Sequence, residues 1–361
     1  MFTRIYVDNY KALVNFDLEL PQRSLLLGAN GSGKTSVFEA VDLVRQLMMG
    51  DTLKVPTDTL TRWQTQDLQT FQIDARIDDH GYRYTIGLKH RRDLGDCRIE
   101  SEQLLFDGNT TLFSSQAGTA QLYNDAGKKN KEVLSDWSRS SLPVITGRAV
   151  NTRLTRFVDW LSKEVMVCRM NPIIIKSLSE SDSQVLATDL ADFASWWRHI
   201  HDENVDAAGE LRNFLSESLP GFRGLEFRKV TDKAKRLMAR FGDTSYGFDE
   251  LSDGQRVLIA LYALLVSARG RSMSLFLDEP DNFVSQREIQ PFFNALEACD
   301  QVQATLISHH PTITNLMATE SGILFRRGAN APVRVEQFKV PEGEALTASE
   351  FIARGYLDEP A

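Results

Sequence analysis

The sequence predicts an α/β protein whose core is a mixed sheet. Helical and extended segments alternate through the C-terminal third, which is typical of a parallel sheet covered by helices. Near the N-terminus, the apolar run "RSLLLGAN" leads through glycines into an amphipathic segment that ends at Gly50, which predicts a buried strand, a loop and a helix. Residues 51–145 alternate apolar and polar side chains and turn at "DDHG" and "DGN", as antiparallel strands do.

These elements divide a single predicted domain, residues 1–361, into a core and two further lobes. Two alternating stretches, "TRIYVDNY" and "VNFDLEL", predict a hairpin before the glycine loop. We expect the core to comprise residues 1–50 and 225–361, and an antiparallel β lobe to cover residues 51–145. Helical spacing in "TRLTRFVDWLSKEV", "TDLADFASWWRHI" and "AAGELRNFLSESL" predicts an inserted helical lobe over residues 146–224.

Composition and charge exclude several classes of protein. The chain has 361 residues, 42% of them hydrophobic, and a net charge of -8. The hydrophobic content is typical of globular proteins. Because the net charge is negative, nucleic acid could bind only at a local basic patch. We find no signal peptide and no apolar segment of the roughly 18 residues that a membrane span needs. The widely spaced Cys97, Cys168 and Cys299 fit a reducing compartment, so we expect a cytoplasmic protein that binds no membrane.

The segment "GANGSGKT", from Gly28 to Thr35, fits the phosphate-binding pattern G-x-x-x-x-G-K-[ST] at each fixed position. Its glycines allow successive backbone N–H groups to face phosphate oxygens, and the following helix adds its positive N-terminus. Lys34 would place a full charge on the outer phosphates, and the Thr35 hydroxyl would coordinate Mg²⁺. The predicted nucleotide-binding residues around this loop are Asn30, Gly31, Ser32, Gly33, Lys34, Thr35 and Ser36.

Polar residues follow two more predicted strands. In "SLFLDEP" the apolar run ends at Asp278 and Glu279, and carboxylates at the C-terminal end of a parallel strand lie where ligands bind. We expect Asp278 to join the Mg²⁺ ligands and Glu279 to act as general base on the attacking water. The strand in "ATLISHHP" ends at His309 and His310, where an imidazole can hydrogen-bond the γ-phosphate.

A second candidate phosphate-binding end lies in "ELSDGQRVLIALYALL". Ser252 and Gly254 stand before a long apolar helix, and a serine hydroxyl, a glycine N–H and a helix N-terminus together favour an anion. One nucleotide does not need two such ends from one subunit, so we expect this end to meet the nucleotide held by another subunit. The alternative is an ordinary helix N-cap.

In this order, the four segments resemble the motifs of the ATP-binding-cassette (ABC) ATPase superfamily. "GANGSGKT" is similar to its Walker A loop, "LSDGQ" to its signature, "LFLDEP" to its Walker B strand and "SHHP" to its switch-histidine loop. The resemblance implies a P-loop NTPase of ABC type, in which two subunits close head to tail over two Mg-ATP. Each site would combine Lys34, Thr35, Asp278, Glu279 and His309 of one chain with Ser252 and Gly254 of the other.

Within that superfamily, the chain resembles the SMC, RecF and OLD-type branch. "IYVDNYKAL" is similar to the start of that branch, in which a basic residue, here Lys11, approaches the nucleotide. "DEPDNF" and "ISHHP" are similar to segments of OLD-type ATPases, and that alignment places the family's histidine on His309. Thr35 and Leu251 are 216 positions apart, which is longer than in a transporter subunit and leaves no room for an SMC coiled coil. We therefore expect a small stand-alone ATPase without a coiled coil or a fused nuclease.

Two features depart from the family pattern. Asp253 replaces the first glycine of the signature and brings a negative charge near a phosphate site. The glutamine loop of the family is not identifiable, although Asn171 in "VCRMNP" occupies its approximate place.

The resemblance implies an ATPase in DNA handling, repair or anti-phage defence, which acts with a separately encoded, nuclease-like effector. One alternative is a nucleotide-gated scaffold with slow turnover, and a weaker one is the energising subunit of a transporter. The basic clusters in "KHRRDLGDCR" and "RKVTDKAKRLMAR" leave a nucleic-acid partner open.

Overall fold

The structure is a computed structural model that describes residues 1–145, 151–340 and 346–356. The described residues divide into two units. Unit 1 comprises the described parts of Met1–Val165, Glu320–Leu346 and Glu350–Ala361, and unit 2 comprises Met166–Thr319 and Thr347–Ser349. The predicted boundaries between core, β lobe and helical lobe stay a prediction.

Antiparallel strands make up most of unit 1. Its first strands are β1 (Phe2–Asp8), β2 (Phe16–Glu19), β3 (Arg23–Leu27), β4 (Leu68–Ile77), β5 (His80–Arg91), β6 (Asp96–Phe106), β7 (Thr110–Gln116), β8 (Thr119–Tyr123) and β9 (Lys129–Leu134). Within the described residues, all of these except β3 form one sheet, in the order β2-β1-β4-β5-β6-β7-β8-β9. The predicted β1–β2 hairpin and the antiparallel strands after residue 51 are therefore confirmed.

Three helices of unit 1 accompany these strands. They are α1 (Lys34–Met48), α2 (Leu142–Ile145) and α3 (Thr152–Asp159), and α3 continues into a π-helical turn at Trp160–Glu164. Helix α1 buries Val37, Val41 and Val44 on one face, as its sequence period predicts. The side chain of Asn151 caps α3 by accepting a hydrogen bond from the N–H of Leu154 at 2.8 Å.

Unit 2 contains both parallel and antiparallel strands. Its strands are β10 (Val165–Arg169), β11 (Leu178–Ser179), β12 (Phe222–Lys229), β13 (Lys235–Phe241), β14 (Thr244–Gly247), β15 (Met273–Asp278) and β16 (Val302–Ile307). Strand β15 lies between β10 and β16 and pairs with β16 in parallel, while β11, β12 and β14 pair with β13. Its helices are α4 (Phe193–Glu203), α5 (Ala207–Leu215), α6 (Asp253–Ser267), α7 (Gln286–Glu297) and α8 (Pro311–Ser321).

The last strands of unit 1 join the sheet of β3, the strand that precedes the glycine loop. Strand β17 (Gly322–Arg326) pairs with β3 in parallel, and β18 (Arg334–Gln337) pairs with β17 in the antiparallel direction. A short helix, α9 (Ala348–Phe351), and a π-helical turn at Ile352–Tyr356 follow. The predicted α/β class with a mixed sheet is confirmed.

Strand β10 is the main element that the sequence pattern did not predict. The apolar run from Val165 to Cys168 follows a helix directly, and neither glycine nor proline separates the two. The π-helical turn makes the transition instead. The chain thus changes from helix to strand without the glycine or proline that usually marks such a change.

Candidate functional site

The glycine loop of unit 1 connects the end of β3 to the start of α1. Gly33, which precedes the helix, has φ of +105°, a left-handed conformation that L side chains rarely adopt. A Cβ atom at this position would lie 2.7 Å from Cγ2 of Val333, so only glycine fits. The N–H of Ser32 donates to the carbonyl oxygen of Ala29 at 3.2 Å and closes the turn of the loop. The backbone conformation is therefore that of a tight loop leading into a helix N-terminus.

Two buried polar side chains line this loop. Lys34 is only 6% exposed, and its ammonium donates to the carbonyl oxygens of Gly28 at 2.6 Å and Ala29 at 3.1 Å. The Ser32 hydroxyl is buried, and among the described residues it has no hydrogen-bond partner. A buried hydroxyl without a partner is costly, so it fits a ligand oxygen at this position.

The other predicted residues of the loop occupy two environments. Asn30 and Gly31 are exposed at its tip, and Thr35 and Ser36 are half-buried in the first turn of α1. The first turn of a helix leaves backbone N–H groups without intrahelical partners, and it attracts anions. The residues of the loop therefore fit a phosphate chain, and the Thr35 hydroxyl is an oxygen ligand of the kind that Mg²⁺ prefers.

Lys11 lies in unit 1 between β1 and β2. Its φ is +54°, and its N–H donates to the carbonyl oxygen of Thr59 at 2.6 Å. Its ammonium forms an ion pair with Glu39 on α1 and lies 5.7 Å from the ring centroid of Tyr10. Its charge is therefore compensated by a helix residue, and its approach to a nucleotide stays a prediction.

In unit 2, Asp278 ends strand β15 and is only 8% exposed. Its Oδ2 accepts a hydrogen bond from Nε of Arg169 at 3.1 Å. Arg169 ends the neighbouring strand β10, so the two strand ends bring both side chains together. Sequence reasoning missed Arg169, because a pair so far apart along the chain has no local signal. Asn171, which takes the approximate place of the glutamine loop, lies shortly after Arg169 and precedes a 3₁₀ turn at Pro172–Ile174.

Glu279 follows Asp278 in a strained backbone conformation. Its φ is +51°, which is uncommon for a residue other than glycine and is concentrated at functional sites. Its N–H donates to the carbonyl oxygen of Ile307 at 2.8 Å, which fixes it to the end of β16. Its Oε2 accepts a hydrogen bond from Nδ2 of Asn282 at 2.5 Å. The carboxylate is thus held by backbone and side-chain contacts after the strand.

The two histidines after β16 have different environments. His310 is half-buried, and its Nδ1 accepts a hydrogen bond from the N–H of Thr312 at 3.2 Å at the start of α8. Its own N–H donates to Oγ of Ser308 at 3.0 Å. His309 is exposed. The backbone N–H and the ring of His310 are therefore both hydrogen-bonded at the start of α8. The role of His309 stays a prediction.

Asp281 is a buried carboxyl close to the same segment. Burial raises the pKa of Asp281, while a hydrogen bond from Ser308 and the charge of His310 lower it in part. Its Oδ1 has no hydrogen-bond partner among the described residues. Burial and the charge of Glu279 thus favour the protonated form of this side chain.

The signature-like segment forms a capped helix start. The Ser252 Oγ accepts a hydrogen bond from the N–H of Gln255 at 3.3 Å, and the Gln255 Oε1 accepts one from the N–H of Ser252 at 3.1 Å. Asp253 pairs with Arg256 at 2.5 Å, so the charge that departs from the family pattern is compensated. Gly254 lies within the first turn, where a Cβ atom would be 2.6 Å from the carbonyl oxygen of Phe283. Ser252 is an N-cap in this structure, and its contact with a second subunit stays a prediction.

Acidic neighbours pair with part of each of the two basic clusters. Their charged partners lie within each unit, which favours a solvated surface over a path for nucleic acid. The pairs are Arg91 with Asp96, Arg92 with Asp67, Arg98 with Glu100, Lys229 with Asp232 and Arg236 with Asp249.

Comparison with known proteins finds relatives in sequence and in fold. No protein-family model matches the chain. The OLD nuclease of Thermus scotoductus is 22% identical to it over 367 residues, which cover 96% of this chain and 66% of that protein. The DNA replication and repair protein RecF of Citrobacter koseri is 24% identical over 263 residues, or 66% of each protein. The crystal structure of an SMC head bound to the C-winged helix domain of ScpA is similar with a TM-score of 0.57 at 12% identity, over 93% of this chain and 98% of that one.

The chain is related to the ABC-type ATPases of the SMC, RecF and OLD branch. This relationship confirms the resemblance that the four motifs indicate, and the SMC head confirms the ABC-type fold. The chain spans 66% of the length of the OLD nuclease and of this RecF. Within the part of the chain that the structure describes, no helix is both long and apolar enough to cross a bilayer.

Proposed function

We propose that this ABC-type chain binds Mg-ATP and hydrolyses it. The observation that carries the proposal is the glycine loop, where a helix N-terminus meets a buried lysine and a buried serine hydroxyl that has no partner among the described residues. These are the donors that a phosphate chain needs. Titration of the full chain with Mg-ATP, followed by measurement of phosphate release, tests it. Absence of binding would contradict the proposal.

Each predicted residue has a chemical role in this proposal. Thr35 and Asp278 would hold Mg²⁺, which would neutralise charge on the phosphates. Glu279 accepts a proton from water while the water oxygen bonds to the γ-phosphorus and the bond to the β–γ bridging oxygen breaks, which gives ADP and phosphate. The exposed His309 donates a hydrogen bond to the γ-phosphate. The phosphate-holding residues are Asn30, Gly31, Ser32, Gly33, Lys34 and Ser36, and Lys11 lies near the nucleotide.

We further propose that two copies close head to tail over two nucleotides. Each copy would present Ser252 and Gly254 to the nucleotide of the other. Two observations support this: Ser252 is exposed at the start of the 15-residue helix α6, and Arg256 compensates the charge of Asp253 there. The helix N-terminus is then free of the uncompensated negative charge that would repel a phosphate.

Replacement of Ser252 by arginine is expected to block this closure. The bulky charge would prevent the approach of the second copy, so the ATP-dependent dimer should be lost and turnover should fall by about two orders of magnitude. Nucleotide binding by the monomer should persist. Light scattering and phosphate release measure the two effects.

Ser252→Ala is the matched control, because it removes the capping hydroxyl without adding bulk. An equal mixture of Ser252→Arg and Lys34→Ala chains should recover the activity of one composite site at most, since only one of the two sites then has neither defect. Full activity of Ser252→Arg alone would contradict the head-to-tail arrangement.

The proposed setting is the cytoplasm, in DNA handling, repair or anti-phage defence. The relationship to RecF, a DNA replication and repair protein, and to an OLD nuclease supports it, and the three cysteines remain thiols. The SMC head of similar fold binds a domain of a second protein, ScpA, which supports a separately encoded effector here. Turnover measured with and without DNA, and with the products of neighbouring genes, tests these roles.

One observation favours the alternative of a nucleotide-gated scaffold. The Arg169 guanidinium holds the Asp278 carboxylate that Mg²⁺ would need, so the two cations would compete for this carboxylate. A turnover that stays below about 1 per minute with every DNA or protein ligand would favour the scaffold, because typical enzymes run at about 1–10³ s⁻¹.

Replacement of Arg169 by glutamine is expected to lower the Mg²⁺ concentration that nucleotide binding requires. The variant frees the Asp278 carboxylate from a competing cation, and because Arg169 is half exposed the effect should be modest, about two- to fivefold. Titration of Mg²⁺ at fixed ATP measures it. Arg169→Lys, which keeps the charge, is the control. An unchanged Mg²⁺ requirement in Arg169→Gln would show that the ion pair does not gate the metal.

A further inference from the structure

A tryptophan and an arginine lie beside the glycine loop of unit 1, and the proposed chemistry of phosphate transfer does not use them. The Arg327 Nη1 donates to the carbonyl oxygen of Gly31 at 3.1 Å, and its Nε donates to that of Ala331 at 3.3 Å. Its Cζ lies 5.5 Å from the ring centroid of Trp63. Arg327 thus connects the tip of the phosphate loop to an aromatic ring.

The two hydrogen bonds fix the orientation of the guanidinium plane. Two of its three nitrogens donate to backbone carbonyls, so much of its donor capacity is engaged by the protein. The group lies over the half-buried indole of Trp63, and Arg327 itself is exposed. Guanidinium planes and indole rings both stack on nucleobases. This pair therefore offers a flat surface that suits a planar ring better than a further phosphate.

The segment that carries Trp63 is fixed to the rest of the nucleotide-binding loops. Leu60 forms a β-bridge with Tyr10, and the carbonyl oxygen of Thr59 accepts the N–H of Lys11 at 2.6 Å. The N–H of Gln64 donates to the carbonyl oxygen of Thr61 at 3.0 Å, which turns the chain around Trp63. The segment that carries the ring is therefore bound to the turn that carries Lys11, the residue expected to approach a nucleotide.

We infer that Trp63 and Arg327 form the stacking surface for the purine base of the bound nucleotide. The inference rests on the proposed ATP binding and adds the part of the ligand that the phosphate loop does not recognise. The phosphates then supply most of the affinity, and this pair distinguishes a nucleotide from a bare polyphosphate.

The test compares two probes, Mg-ATP and inorganic Mg-tripolyphosphate, by calorimetric titration of the full chain. Trp63→Ala should weaken ATP binding about tenfold or more, since a stacked base contributes this much. Tripolyphosphate binding should change by less than about twofold. Trp63→Phe keeps a ring and should retain most of the affinity for ATP.

The chain provides a matched control in a second pair of the same kind. Arg98 lies over the ring of Trp137 at 4.6 Å in the antiparallel sheet of unit 1, so Trp137→Ala removes an indole from an equivalent contact. It should leave both probes unaffected. Arg327→Ala changes an exposed residue and is the second test. If Trp63→Ala does not fold, the affinities of Arg327→Ala for the two probes replace those of Trp63→Ala.

The outcomes separate this inference from the proposed function. Equal ATP affinity in the wild-type chain and in Trp63→Ala or Arg327→Ala overturns the stacking surface while ATP binding stands. Equal losses for ATP and tripolyphosphate also overturn it, because they indicate a damaged loop. A wild-type chain that binds neither probe overturns the proposed function itself.

Discussion

Replacement of Lys34 by alanine is expected to abolish nucleotide binding. The ammonium is buried at the turn of the glycine loop, within reach of the carbonyl oxygens of Gly28 and Ala29, and it supplies the only full positive charge of the loop segment from Gly28 to Thr35. Hydrogen bonds to charged groups contribute roughly 1.5–3 kcal/mol each, and loss of two of them lowers affinity by about 100-fold or more. Equilibrium titration with a fluorescent ATP analogue measures the loss.

The control for this variant must separate binding from folding. Lys34→Met keeps the apolar stem in the buried position, and its thermal unfolding should match that of the wild-type chain. Lys11→Ala removes a cation that is already paired with Glu39, so its affinity should fall much less. Wild-type ATP affinity in both Lys34 variants would mean that the loop does not bind phosphate.

Replacement of Glu279 by glutamine is expected to separate ATP binding from hydrolysis. The variant loses the proton acceptor for the attacking water, which contributes about 10²–10⁴-fold to the rate, while Asp278 and Thr35 remain as Mg²⁺ ligands. Glutamine keeps the shape of the side chain, and its Oε1 can still accept the hydrogen bond from Asn282. Turnover should therefore fall by this factor at unchanged ATP affinity.

The solution mass of Glu279→Gln, with and without Mg-ATP, shows whether the trapped state is a dimer. A monomer that becomes a dimer only with Mg-ATP would agree with the head-to-tail arrangement. A mass that does not respond to bound ATP would contradict ATP-driven self-association and leave Ser252 as a helix cap. Glu288→Gln is the matched control, since that carboxylate caps α7 through Ser285 and should leave turnover unchanged.

Local sequence patterns predicted the parts of the fold that depend on local physics. The strand, loop and helix around Lys34 follow from a buried apolar run, glycines and a 3.6-residue period, and all three are present. The pairing of Asp253 with Arg256 was not predicted, although it follows the same local physics, because residues three apart on a helix face each other. The contact of His310 with the N–H of Thr312 is also local, since His310 directly precedes Pro311 at the start of α8.

The side chains that sequence reasoning missed depend on long-range placement. Arg169 contacts Asp278, and Arg327 contacts Trp63 and Gly31, only because distant segments of a unit meet after folding. No periodicity or spacing rule connects such residues, since the sheet order that brings them together is not a local property. Strand β10 was missed for a related reason: its apolar residues serve equally well in a helix.

The close approach of Gly254 to Phe283 has a consequence for how this chain can evolve. A Cβ atom at position 254 would collide with the backbone carbonyl at 283, and Phe283 itself has a φ of +72°. Position 254 therefore accepts only glycine as long as the backbone at 283 keeps this conformation. The signature-like helix and the segment after the acidic strand are therefore coupled through their backbones: a side chain at position 254 would require the carbonyl at position 283 to move first.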